Sequence, residues 1–178
     1  MLSLVRQRIC KSEPVEIRNV HADEYARVGA LTVDAYTKLP GHVHEPDYEA
    51  ELYDVRSRAE APGAEVFVAV EGDDLLGGVT FVGDPRSPMA EHDLAAAGAI
   101  RMLAVDPSAQ GKGIGEALVR ACVGRARELG LSQIALHSTP WMTTAHRLYG
   151  RLGFVRDESL DWVPLPDIHL LGFRLVLT

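Results

Sequence analysis

Cysteine is nearly absent: Cys10 and Cys122 are the only two in 178 residues. One lies in a loose N-terminal tail and the other on an apolar helical face, so a disulfide framework is not expected. Long apolar runs are missing too. No stretch approaches the ~20 residues of a membrane span, and "MLSLVRQRICKSEP" lacks the apolar run of a signal sequence. The expectation is a cytoplasmic protein with no membrane partner. Positive charge is also in short supply, with 18 Lys and Arg against 25 Asp and Glu and a net charge of −7. That balance argues against a broad nucleic-acid surface. It leaves room for one small anion site, where local backbone donors outweigh distributed negative charge. Repeats, low-complexity tracts and convincing linkers are absent as well.

What is present reads as an ordinary globular chain, 47% hydrophobic and 24% charged. A single domain over 1–178 is expected, with 1–13 as its tail. "VEIRNV" alternates as a first strand. After Asp23, residues Tyr25, Val28, Leu31, Ala35 and Leu39 recur at helical spacing. "LPGHVHEP" is a loop, and Tyr48 to Ala61 reads as one second helix. "EVFVAVEG" and "LLGGVTFVG" form a hairpin joined by Asp73-Asp74. "AAAGAIRMLAV" reads as a long central strand. Ile114, Leu118, Ala121, Cys122 and Leu129 share one helical face, with Gly130 as its C-terminal cap. "SQIALHS" is a strand, and Ala145, Leu148, Tyr149 and Leu152 mark a helix stopped by Gly153. "FVRD" and "HLLGFRLVL" close the chain. This order predicts a mixed α/β sheet, antiparallel at first, with a parallel crossover around Gly111 to Gly115.

"LAVDPSAQGKGIGEALV", Leu103 to Val119, places three glycines within five residues between a strand and a helix. Asp106-Pro107 stops the strand. The first N–H groups of the helix lack intrahelical partners, and the helix dipole adds positive charge there. Glycines at 111, 113 and 115 let a diphosphate approach those donors. One glycine would serve a plain turn, so three favour the anion. Neither a P-loop nor the dinucleotide fingerprint fits the spacing.

Gln110, Gly111, Lys112, Gly113, Ile114 and Gly115 spell Gln-x-x-Gly-x-Gly after "MLAVDP". This resembles the acetyl-CoA signature of the GNAT superfamily of N-acetyltransferases. "AHRLYGRLGF", Ala145 to Phe154, resembles the family's tyrosine-bearing helix and the strand that follows. The resemblance implies a mixed sheet of about seven strands, splayed between two parallel central strands, with about four helices. It implies acetyl-CoA as cosubstrate and no metal. Leu103, Ala104 and Val105 would meet the pantetheine arm, and Gln110, Gly111, Lys112, Gly113, Ile114, Gly115 and Glu116 would wrap the pyrophosphate.

The implied reaction is direct attack of an amine on the acetyl carbonyl, with Tyr149 as the acid that protonates the leaving sulfur. A core tyrosine is the alternative for Tyr149, which shares an apolar face with Leu148 and Leu152. The base is open. The glutamate that some relatives carry on the central strand falls near Ala99, which leaves His137, Glu71, His42 and His44 as candidates. Tyr36, His42, His44, Tyr48 and His137 are the candidate acceptor contacts, for a small amine or a peptide N-terminus. His42 and His44 with Glu45 and Asp47 lack the spacing of a metal site. "HLLGFRLVL" suits either packing or pairing with a second copy as a homodimer. The competing function is an acyl-CoA-binding sensor or regulatory module without turnover.

Overall fold

The chain threads one open sheet whose order is β1-β2-β3-β4-β5-β8-β6, with β7 paired to β8. The computed structural model describes residues 14–39, 41, 44–87, 89–165 and 167–178. Cys10 and His42, both singled out in the sequence, lie outside the described residues.

The strands are β1 (Glu16–Asn19), β2 (Ala64–Glu71), β3 (Asp74–Val82), β4 (Ala97–Val105), β5 (Gln133–Ser138), β6 (Val155–Arg156), β7 (Trp162–Leu165) and β8 (Ile168–Val176). The helices are α1 (Tyr25–Thr37), α2 (Pro46–Tyr53), α3 (Val55–Glu60), α4 (Ile114–Glu128) and α5 (Thr143–Arg151). Among the described strands only β4 and β5 pair in parallel. Their crossover is α4, as expected for a connection between parallel neighbours. Among the described residues no helix is long and apolar enough to cross a membrane.

Period-two alternation on β2 covers both faces. Val66, Val68 and Val70 meet Val28 of α1 and Val55 of α3, while Phe67 and Ala69 join the cluster under α4. That cluster holds Ile114, Leu118, Cys122 and Ala126 from α4 and Phe81 from β3. Cys122 is fully buried and its thiol pKa is pushed up by burial, so it acts as a small apolar side chain.

Three local readings change. The stretch read as one helix from Tyr48 to Ala61 is two, because Asp54 leaves helical geometry and its carboxylate accepts the Ser57 N–H at 3.0 Å. The β2–β3 hairpin turns at Gly72-Asp73 rather than Asp73-Asp74: Glu71 faces Asp74, and Gly72 takes φ +59°. Strand β7 went unread, since "WVPL" is short and contains a proline. Among the described residues the sheet thus has eight strands, with five helices. Gly130 does end α4, at φ +69° with the Leu131 N–H returning to Ala126 O at 3.0 Å.

α2 lies against α1 because Gly29 has no side chain. A Cβ there would stand 2.3 Å from the Tyr53 carbonyl oxygen, a backbone atom that cannot swing away. Gly29→Ala is therefore expected to lower stability by about 1–3 kcal/mol, the usual cost of overpacking. Better helix propensity offsets less than about 1 kcal/mol of this. Denaturant unfolding checks it, and a midpoint at or above wild type would contradict the close approach.

Candidate active site

β4 is where the sheet opens. Its parallel ladder with β5 runs from Ala97↔Gln133 to Ile100↔Leu136 and goes no further. On the other side Thr80 faces Arg101 and Gly78 faces Ala104. Met102 and Leu103 therefore oppose Val79 alone, a β-bulge, and Met102 takes φ +53°. A left-handed methionine is strained, and such strain concentrates at functional sites. Beyond Ile100 the β4 backbone has no ladder partner on β5.

A cavity of about 340 Å³ fills this opening, within the small-molecule range. Its floor is Ile100, Met102 and Leu103, with His137, Ser138 and Thr139 opposite. Tyr149 of α5 lines one end, only 4% exposed and packed 5.9 Å from the rings of both Phe154 and Phe173. Burial raises its pKa, so the hydroxyl keeps its proton at neutral pH.

One wall comes from α1, α2, the β3–β4 loop and the β7–β8 hairpin. Tyr36 and Tyr48 both line it and meet edge to face at 6.3 Å. Burial pushes the Tyr48 hydroxyl up to about 12. Trp141 lines the same cavity and lies against Gly41, where a Cβ would stand 3.1 Å from its ring.

His137 Nε2 lies 2.8 Å from Leu160 O, and its ring meets Trp162 edge-on at 6.2 Å. A carbonyl only accepts, so Nε2 carries the hydrogen and the lone pair is on Nδ1. Burial lowers the pKa of this ring below the ordinary histidine value.

The glycine turn begins where β4 ends. Asp106 accepts the Ser108 N–H at 2.8 Å, which shapes the short 3-10 turn Pro107–Ala109. Gly111 and Gly113 then take φ +77° and +82°. The expectation that one glycine would serve a turn is corrected here, because this path needs two left-handed residues. Neither glycine would place a Cβ within 4 Å of another group, so the space before them is open.

The first α-helical bond belongs to Ala117, whose N–H reaches Gly113 O at 3.0 Å. The N–H groups of Ile114, Gly115 and Glu116 precede it. The Glu116 side chain is turned to Arg120 at 2.8 Å. At Gly115 a Cβ would stand 3.4 Å from Leu148 and 3.6 Å from Val105, which sets the turn against both α5 and β4.

The structure thus brings Tyr36, Tyr48, His137, Leu103 and Tyr149 to one cavity, with the turn at the end of the strand that floors it. His44 is exposed, paired with Glu49 at 2.7 Å, and is not among the cavity's lining residues. Glu71 sits at the β2–β3 hairpin, also outside that lining, and Ala99 is core. Sequence reasoning missed Glu51, Glu91, Arg101 and Trp162, all cavity-lining. Arg101 had a local signal as the one charge in "AAAGAIRMLAV", whereas the others had none. Among the described residues, no three His, Cys, Asp or Glu stand together as a metal site.

The family model described as acetyltransferase (GNAT) matches residues 26–154. A mycothiol acetyltransferase from Geodermatophilus obscurus is 38% identical over 126 residues, which is 68% of this chain and 39% of that protein. N-alpha-acetyltransferase 30 of Xenopus laevis is 32% identical over 111 residues, 62% of this chain and 39% of that protein. The chain thus spans about two fifths of the length of these relatives. An acetyltransferase of the GNAT family from Staphylococcus aureus superposes with a TM-score of 0.75 at 14% identity, covering 93% of this chain and all of that one. Salmonella typhimurium yncA, solved with its cofactor acetyl-CoA, gives 0.67 at 20% identity over 92% of this chain and 94% of its own.

Proposed function

Because this chain belongs to the acetyltransferase (GNAT) family, we propose that it is an N-acetyltransferase moving an acetyl group from acetyl-CoA to a primary amine in a ternary complex. One observation carries the reading: the β4–β5 ladder stops at Ile100 and the strained Met102 bulge opens a cavity between the central strands. Residues 14–178 act as one catalytic domain in this account.

The residues present fit the cosubstrate. The N–H groups of Ile114, Gly115 and Glu116, the helix dipole and the open space before Gly111 and Gly113 suit a pyrophosphate. Gln110 and Lys112 flank it. Leu103, Ala104 and Val105 offer an edge of β4 to the pantetheine arm. When bound, acetyl-CoA supplies an activated acetyl carbonyl and a thiolate leaving group.

His137 Nδ1 takes the proton from the amine, directly or through a water. The amine nitrogen bonds to the carbonyl carbon as the carbon–sulfur bond breaks. β4 N–H groups past Ile100 hold the oxyanion, and the Tyr149 hydroxyl gives its proton to the departing sulfur. Relatives named for mycothiol and for N-alpha acetylation support an acetyl acceptor, either a small molecule or a peptide N-terminus.

Free-thiol release across a panel of amines tests the activity. The reading predicts release with at least one amine, whereas CoA binding with no acetylation of any of them would make the chain a sensor module. The base assignment has its own signature. A base works only when neutral, so turnover should fall with decreasing pH through a pKa below about 6.5, the unperturbed value. His137→Gln should flatten that acid limb, and an unchanged limb would remove His137 from the role.

A further inference from the structure

The acceptor end of this cavity carries a charge pattern that names a substrate class, an inference that rests on the acetyltransferase reading. Three carboxylates line it, Glu45, Glu51 and Glu91, against the guanidinium of Arg101 in the lining and that of Arg58, buried behind Met102 with Nη1 2.7 Å from its sulfur. The Arg101 guanidinium is already engaged: its Nη2 lies 2.5 Å from Glu91 Oε1 and 3.2 Å from Glu51 Oε1. Its side chain is only 12% exposed, so the pairing is not a passing surface contact. An acceptor bearing a carboxylate would have to displace a glutamate from Arg101 while standing beside two others. A cation meets the opposite field, because each glutamate holds Arg101 through one oxygen and keeps a second.

Two further observations come from outside the charged groups. The wall rings, Tyr36, Tyr48, Trp141 and Trp162, are faces that attract an ammonium or its methylene stem. Thr139 Oγ1, in the same lining, is buried with no hydrogen-bond partner among the described residues. A buried hydroxyl without a partner is costly. Burial raises the Glu91 pKa against the pull of Arg101, so a further cation beside it favours its charged form.

We propose that the acceptor is a small aliphatic diamine. One nitrogen receives the acetyl group at the β4–β5 opening, and the other stays an ammonium against Glu51 and Glu91. Those two glutamates are then specificity-determining residues.

The test measures thiol release by the full chain at saturating acetyl-CoA with three amines of equal carbon count: putrescine, butylamine and γ-aminobutyrate. The expected kcat/KM order is putrescine, then butylamine, then γ-aminobutyrate, with the first step about tenfold, the worth of one charge-assisted hydrogen bond. Glu91→Gln and Glu51→Gln should each cut the putrescine-to-butylamine ratio to about threefold or less. That ratio is taken within one preparation, so partial unfolding of a variant cancels.

Equal use of putrescine and butylamine overturns the diamine assignment while leaving the acetyltransferase reading intact. A preference for γ-aminobutyrate, acetylation of a peptide N-terminus alone, or a ratio unmoved in both variants does the same. Thiol release from no amine, with CoA still bound, overturns both.

Discussion

Tyr149→Phe is expected to lower kcat by about a hundredfold, the lower end of what general acid catalysis contributes, with CoA affinity unchanged. The substitution removes one oxygen and keeps the ring between Phe154 and Phe173, so the fold should be retained. Burial keeps the hydroxyl protonated across the neutral range, as a donor to a thiolate must be. Steady-state rates beside a calorimetric CoA titration separate the two roles open to this residue. A folded variant with wild-type turnover makes Tyr149 a core side chain that happens to line the cavity. Parallel loss of turnover and CoA binding would instead mean that the ring shapes the donor site.

At the other end of the donor path, Gly113→Asp should weaken CoA binding by about a hundredfold. In the proposed complex a carboxylate there would face the pyrophosphate across open space, and two like charges near ~4 Å repel by several kcal/mol even at moderate screening. The left-handed φ of +82° adds a backbone cost that Asp and Asn share and tolerate better than most residues. Gly113→Asn therefore isolates the charge. It should weaken binding by no more than about tenfold, and the gap between the variants should shrink with added salt. Equal affinities for the two, in folded protein, would move the pyrophosphate away from this turn.

The mixed sheet and its parallel crossover were legible in the chain, and the contacts that build the cavity were not. The glycine turn could be read because its shape lies in φ angles that only its own residues decide. β4 and α4 were legible for the same reason, being long and strongly patterned. The bulge at Met102 was not, since it exists only as a register difference against Gly78 and Thr80 of another strand. The break between α2 and α3 turns on one side-chain bond, Asp54 to the Ser57 N–H, inside a stretch whose apolar spacing stays helical. The charged wall of the cavity was the least legible part. Glu51, Glu91, Arg101 and Trp162 come from a helix, a loop and two strands, and sheet order alone brings them together. His137 and Tyr48 could be named from sequence because polar rings beside strand and helix ends are visible without a fold. His44 shows the cost of that shortcut, being equally visible yet exposed and paired with Glu49.

Direct transfer between two bound molecules is the claim on which the rest depends. The most direct measurement follows protein, amine and thiol together by mass spectrometry after mixing the chain with acetyl-CoA and putrescine. The account predicts one N-acetyl product for each free thiol, with the mass of the protein unchanged at every time point. An acetylated protein appearing before the product would contradict it.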